Sequence, residues 1–102
     1  MRVRIDIIES RRGLSPVVGA SYTFDKIAVT IGRATSNDLV LLGDSVGRRH
    51  ALVENKNSEL WITDLGSENG IGVAGHPHGW ASYPLVGATK VDVGNFSLLI
   101  VR

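Results

Sequence analysis

HALVENKNSELWITDL, residues 50–65, decides the fold. Its two flanks, HALVE (50–54) and LWITDL (60–65), are short apolar runs rich in β-branched and aromatic residues. They enclose NKNSE (55–59), five polar residues that read as a turn, so the whole reads as two strands folded back on each other. Working outward, Val3, Ile5 and Ile7 alternate with Arg4 and Asp6, the period of a half-buried strand. SYTF (21–24), IAVTI (27–31), LVLL (39–42), IGV (71–73), TKVDV (89–93) and FSLLIV (96–101) are further strand-like runs. Between them lie RRGLSPVVGA (11–20), GRATSND (32–38), LGSENG (65–70), AGHPHGW (74–80) and the dipeptide GN (94–95). No segment keeps a helical period over a useful length.

Turn signals thus recur about every 8–12 residues, as in all-β sandwiches and barrels, and 12 glycines serve them. At 102 residues the chain is near the commonest domain size. The pattern predicts one compact β-sandwich over residues 1–102, a single domain whose termini end in neighbouring strands. Trp61 lies in a strand and is expected in the core. Trp80, after a glycine in a turn-rich stretch, fits either the core or a partner surface.

Composition narrows the function. Eleven Lys and Arg against ten Asp and Glu leave a net charge of +1, without the basic bias of a protein that grips nucleic acid through its phosphates. No apolar run approaches the ~20 residues of a membrane span, and no signal-peptide pattern opens the chain. Neither nucleic acid nor membrane is therefore an expected partner. The absence of cysteine rules out disulfides and thiolate metal sites and suits a cytoplasmic protein.

Among chemical motifs, Gly13 and Gly19 are spaced wrongly for a phosphate-binding loop, and no Lys-Ser or Lys-Thr follows. His50, His76 and His78 have no local carboxylate to complete a metal site, so no metal or cofactor is expected. Ser45, His50 and Asp64 lack a nucleophile elbow, and no paired carboxylates stand in for one, so the chain is not expected to be an enzyme. What remains is an anion site built from loops. Arg33 leaves one strand, SVGRRHA (45–51) brings Arg48 and Arg49, and Asn69-Gly70 occupies a third loop. Loops at alternating strand ends of a sandwich gather at one pole, and the arginine fork suits phosphate or carboxylate. The same residues also read as unrelated turns, since Asn-Gly is a common hairpin dipeptide. From the residues alone both readings stand.

In order and spacing these motifs resemble the forkhead-associated (FHA) domain family. The resemblance is carried by Gly32-Arg33, Asn37-Asp38-Leu39-Val40, VGRRHA (46–51) and DLGSENG (64–70), and it runs from about residue 25 to residue 101. It implies an FHA-type sandwich of about eleven strands whose loops at one end bind phosphothreonine peptides. By the same resemblance Arg33 grips the phosphate, Asn69 holds the peptide backbone, and Arg48 falls where a second phosphate contact is often placed. Gly32, His50 and Gly70 shape the loops.

Three positions depart from the pattern: Gly47 replaces a phosphate-binding serine, Glu68 replaces a threonine beside the phosphothreonine, and Ala74 replaces an asparagine. A lost hydrogen bond to a charged group costs about 1.5–3 kcal/mol. A carboxylate about 6 Å from a phosphate adds a few kcal/mol of repulsion at an effective dielectric of ~20. Set against about −8 kcal/mol for a micromolar site, these losses bring binding to roughly the millimolar range. Two compensations are open, a bidentate contact from Arg48 and the Gly47 N–H offered to the anion; alternatively Glu68 pairs with Arg33 or Arg48 and occupies the site as an internal phosphate mimic. Two functions follow. One is a phosphothreonine reader using Arg33, Gly47, Arg48, Glu68 and Asn69. The other is a phosphorylation-independent scaffold or assembly module, for instance in bacterial signalling or secretion machinery. The partner is a phosphothreonine peptide or a protein, in an oligomeric state the residues leave open.

Overall fold

Strand β1 (Arg2–Ser10) shows how the chain folds: Val3, Ile5 and Ile7 are buried, whereas Arg2 and Arg4, which alternate with them, face solvent. The structure is a computed structural model describing residues 2–11 and 14–102; Arg12 and Gly13, expected in the first loop, lie outside the described residues. The other strands are β2 (Ser21–Asp25), β3 (Ala28–Gly32), β4 (Leu39–Val40), β5 (Ala51–Lys56), β6 (Glu59–Asp64), β7 (Ile71–Val73), β8 (Ser82–Leu85), β9 (Ala88–Val93) and β10 (Phe96–Val101). They form two five-stranded sheets, ordered β2-β1-β10-β9-β7 and β4-β3-β5-β6-β8. All pairings are antiparallel except β3 with β4. Inward residues of both sheets, among them Ile5, Ile31, Ile62, Leu98 and Ile100, make one continuous core with Tyr83 and Phe96. Among the described residues no helix is long and apolar enough to cross a membrane.

The expected all-β sandwich is therefore present, with ten strands among the described residues in place of about eleven. LVLL is not one strand. Leu39 and Val40 pair with β3, after which the chain turns and leaves a single bridge between Leu42 and Ser15. The expected adjacency of the termini holds, since Arg4 pairs with Val101.

Two local differences have a plain cause. SYPL (82–85) is a strand that Pro84 conceals in the sequence; β8 tolerates the missing N–H because it is an edge strand, paired only with β6. Trp61 is not a core residue. Leu60 and Ile62 turn inward, so alternation turns Trp61 outward, half-buried opposite Pro84 with Lys56 over its ring.

The crossing from β3 to β4 is pinned by Asp38. Its carboxylate accepts from Lys26 Nζ at 2.6 Å and from the Thr30 N–H at 2.9 Å, while its own N–H donates to Thr30 Oγ1 at 3.0 Å. The Lys26 hydrogen bond, and after it the Thr30 amide, hold the Asp38 carboxyl below its ordinary value of 3.8. A depressed folded-state value means stabilisation that is complete above the unfolded value and lost as pH falls through the folded one. Asp38→Asn should accordingly lower stability by about 1–2 kcal/mol at neutral pH. In chemical denaturation series the gap to the unsubstituted protein should close as pH drops below 3.8; a gap constant down to pH ~2 contradicts the clamp.

Candidate functional site

The segment leading from β4 into β5 carries SVGRRHA, and the backbone of its first four residues is bonded to three other loops and to His50. The Ser45 N–H donates to Asn95 Oδ1 at 3.1 Å, and the Ser45 carbonyl accepts from Asn69 Nδ2 at 3.1 Å. The Val46 carbonyl accepts from Arg33 Nε at 3.2 Å, and the Gly47 carbonyl from the Arg33 N–H at 2.9 Å. The Gly47 N–H donates to His50 Nδ1 at 2.8 Å. The Arg48 carbonyl accepts from the Ala34 N–H at 3.1 Å and from Asn37 Nδ2 at 2.7 Å. Val46 anchors the segment by burying its side chain.

Arg33 and Asn69 are therefore brought to one end of the sandwich, each bonded to one of two successive carbonyls. Both side chains remain exposed, as does that of Arg48. The Arg33 Nη groups make no hydrogen bond among the described residues, and neither do the side chains of Arg48 and Arg49.

His50 is fully buried. Since Nδ1 accepts from Gly47, the ring proton sits on Nε2, which donates to the Gly70 carbonyl at 2.7 Å. One imidazole thus ties the start of β5 to the β6–β7 loop, with no nitrogen left over for proton transfer. Gly32 is required by contact: a Cβ there would run into the Arg48 carbonyl and lie 2.8 Å from Asn37 Nδ2. Gly70 is required by conformation, with φ at +68°. At the other end of the same loop Asp64 Oδ1 accepts from the N–H and Oγ of Ser67, which folds residues 64–67 tightly.

Two of the arrangements left open by the sequence are absent. The Gly47 N–H is engaged by His50 and is not available to an anion. Glu68 is exposed and forms no ion pair with Arg33 or Arg48 among the described residues, so it is no internal phosphate mimic here. One residue that matters to the site was not singled out in the sequence: Asn95 looks like half of a Gly-Asn hairpin, and its partner lies 50 positions away. Beside the site, Trp80 is 48% exposed and stacks on Tyr83 at 5.4 Å and 19°. Tyr83 Oη accepts from the Trp80 N–H and donates to the Pro77 carbonyl, and His76 packs on both rings.

Compared with known proteins, the chain matches the family model described as FHA domain over residues 29–87, more than half its length. It is 31% identical over 87 residues to the oxoglutarate dehydrogenase inhibitor of Corynebacterium diphtheriae, covering 85% of this chain and 59% of that protein. It is 43% identical over 54 residues to the FHA domain-containing protein FhaB of Mycobacterium tuberculosis, covering 53% of this chain and 35% of that one. The chain thus spans only a third to three-fifths of these relatives' length. Among solved structures, the FHA domain of the CT664 protein from Chlamydia trachomatis superposes with a TM-score of 0.82 at 26% identity, over 100% of this chain and 98% of that one. Mycobacterium tuberculosis EmbR, solved in complex with a low-affinity phosphopeptide, also reaches 0.82, at 24% identity over 98% of this chain and 24% of its own.

If His50 is the brace between these loops, His50→Ala leaves a cavity, an orphaned Gly47 N–H and an orphaned Gly70 carbonyl. Thermal or chemical denaturation should show a loss of about 2–4 kcal/mol. Arg49→Ala, one residue away and exposed, should stay within about 0.5 kcal/mol. Equal effects of the two contradict the brace.

Proposed function

The chain belongs to the forkhead-associated (FHA) domain family, and on that premise we propose that it reads phosphothreonine in extended peptides of a protein partner. Arg33 and Arg48 grip the phosphate, and Asn69 holds the peptide backbone beside it. The observation that carries the reading is the pairing of Arg33 with the Val46 carbonyl and of Asn69 with the adjacent Ser45 carbonyl. Arg33 spends only its Nε on that bond, so the outer edge of the guanidinium is left for a bidentate contact with an anion. Arg48 is exposed on the same segment and has no acidic partner among the described residues. Asn69 keeps its carbonyl oxygen free to accept from a peptide N–H. The chain acts by binding and not by catalysis, as a single domain in the cytoplasm.

Gly47 and Glu68 make this a weak reader. No hydroxyl stands at residue 47, and a carboxylate stands at residue 68, so the phosphate is held by guanidinium groups alone. These two residues also favour the second reading, an assembly module that ignores phosphorylation. The backbone can take the missing hydroxyl: a Cβ at Gly47 would meet its nearest neighbour, His50 Nδ1, at an ordinary 3.5 Å.

Calorimetric titration with a degenerate phosphothreonine peptide library, beside its unphosphorylated twin, separates the readings. The unsubstituted chain should bind the phosphorylated library near the millimolar range. Gly47→Ser with Glu68→Thr should tighten binding by about 10- to 100-fold, as expected for a regained hydrogen bond to a charged group, and Arg33→Ala should abolish it. If even the double variant treats the two libraries alike, the phosphate reading fails and the assembly reading stands.

A further inference from the structure

Glu68 weakens the hold on phosphate, yet it is exposed and makes no ion pair or hydrogen bond among the described residues. It lines a cavity of about 430 Å³ together with Ser67, Asn69, His78 and Trp80. We infer that this cavity takes an arginine side chain of the bound peptide, so that the chain selects phosphothreonine sequences that also carry a nearby arginine. The inference rests on the reading of the chain as a phosphothreonine reader, and it gives Glu68 a positive part in recognition.

Three observations converge on a guanidinium. The first is the unpaired Glu68 carboxylate, whose two oxygens match the arginine fork. Asp64 lines the same cavity, but its Oδ1 is already taken by the Ser67 N–H and hydroxyl, leaving Glu68 as the acceptor without partners. The second is Trp80. A half-exposed tryptophan in a loop would normally sample several rotamers, but here the indole is backed by the Tyr83 ring. Tyr83 is itself fully buried and bonded at its hydroxyl to both Pro77 and Trp80. The indole is thereby held as a fixed aromatic surface in the wall of a cavity that also holds an unpaired carboxylate. Cations are attracted to the indole face, and arginine stacks on it better than lysine does. The third is position: Asn69, which would hold the peptide backbone, sits in the wall of the same cavity and next to Glu68 in sequence. A peptide bound at Asn69 therefore runs past the cavity mouth. An acidic or phosphorylated neighbour in the peptide would be repelled by Glu68 there, and an aliphatic one would leave the carboxylate without a partner.

Matched phosphothreonine peptides that differ only in neighbouring residues test this by calorimetry. Arginine should bind about tenfold tighter than alanine, lysine between them, and glutamate weakest. Glu68→Gln and Trp80→Leu should each bring the arginine-to-alanine ratio towards one, while Arg33→Ala removes the phosphate dependence. A ratio of one in the unsubstituted chain, or a ratio that survives both substitutions, overturns the inference and leaves the phosphothreonine reading intact. An arginine preference that is indifferent to phosphorylation has the opposite consequence. Should no peptide bind measurably, N-acetylarginine amide serves as the probe in NMR titrations, with N-acetylglutamine amide as control. Selective shifts at the Trp80 indole N–H and the Glu68 amide, lost in Glu68→Gln, support the cavity, and their absence overturns it.

Discussion

The backbone from Ser45 to Arg48 holds one end of the sandwich together. Ser45 N–H and C=O, Val46 C=O, Gly47 N–H and C=O, and Arg48 C=O all find partners outside their own segment. Those partners come from the β3–β4 loop, the β9–β10 turn, the β6–β7 loop and His50. Backbone polar groups in an irregular segment must be satisfied somewhere, and each one left orphaned in a buried place costs about 1–3 kcal/mol. Here the same bonds that meet this requirement also set where Arg33 and Asn69 stand. Positioning of these two side chains and stability of the loops are one set of interactions, so a change that loosens the segment displaces both residues together.

His50 and Gly32 show why so few residue types are possible around this segment. The imidazole accepts from Gly47 and donates to Gly70, a role that needs a ring with one bare and one protonated nitrogen. Gly32 lets the β3 backbone pass against the Arg48 carbonyl with no side chain between them. Gly47 and Glu68 stand beside this braced centre, and the frame is intact with both in place. The charged side chains at this end fall into two groups, cationic at Arg33 and Arg48 and anionic at Glu68 beside Asn69.

Much of the fold was legible because alternation is a direct imprint of a half-buried strand. β1, β5, β6, β9 and β10 follow from their apolar periods, and the end-to-end pairing of β1 with β10 accords with terminal strands in a sandwich. What escaped has physical reasons. Pro84 reads as a breaker, and only the edge position of β8 makes it harmless. Trp61 reads as core because it lies in a strand, but its parity in β6 puts it outside. At the site, the residues alone left Arg33, Arg48 and Asn69 as either a loop cluster at one pole or unrelated turns, and the family resemblance favoured the first and implied the loop-shaping place of His50. The Asn95 contact was not legible, because a hairpin asparagine carries no mark of a partner far away in sequence. Nor could the sequence show that the Gly47 N–H is occupied or that Glu68 stands apart from the arginines, since both depend on side-chain direction.

Amide hydrogen exchange followed by NMR tests the held segment most directly. The amides of Arg33, Ala34, Ser45 and Gly47 all lie in or beside loops and would exchange quickly if those loops were independent turns. Bonded as they are, they should exchange at rates close to those of the β5 and β6 strand amides, opening only with the sandwich itself. Fast, uncorrelated exchange at these four positions, with the strands still protected, would show that the loops do not share a common anchor and would remove the basis for setting Arg33 opposite Asn69.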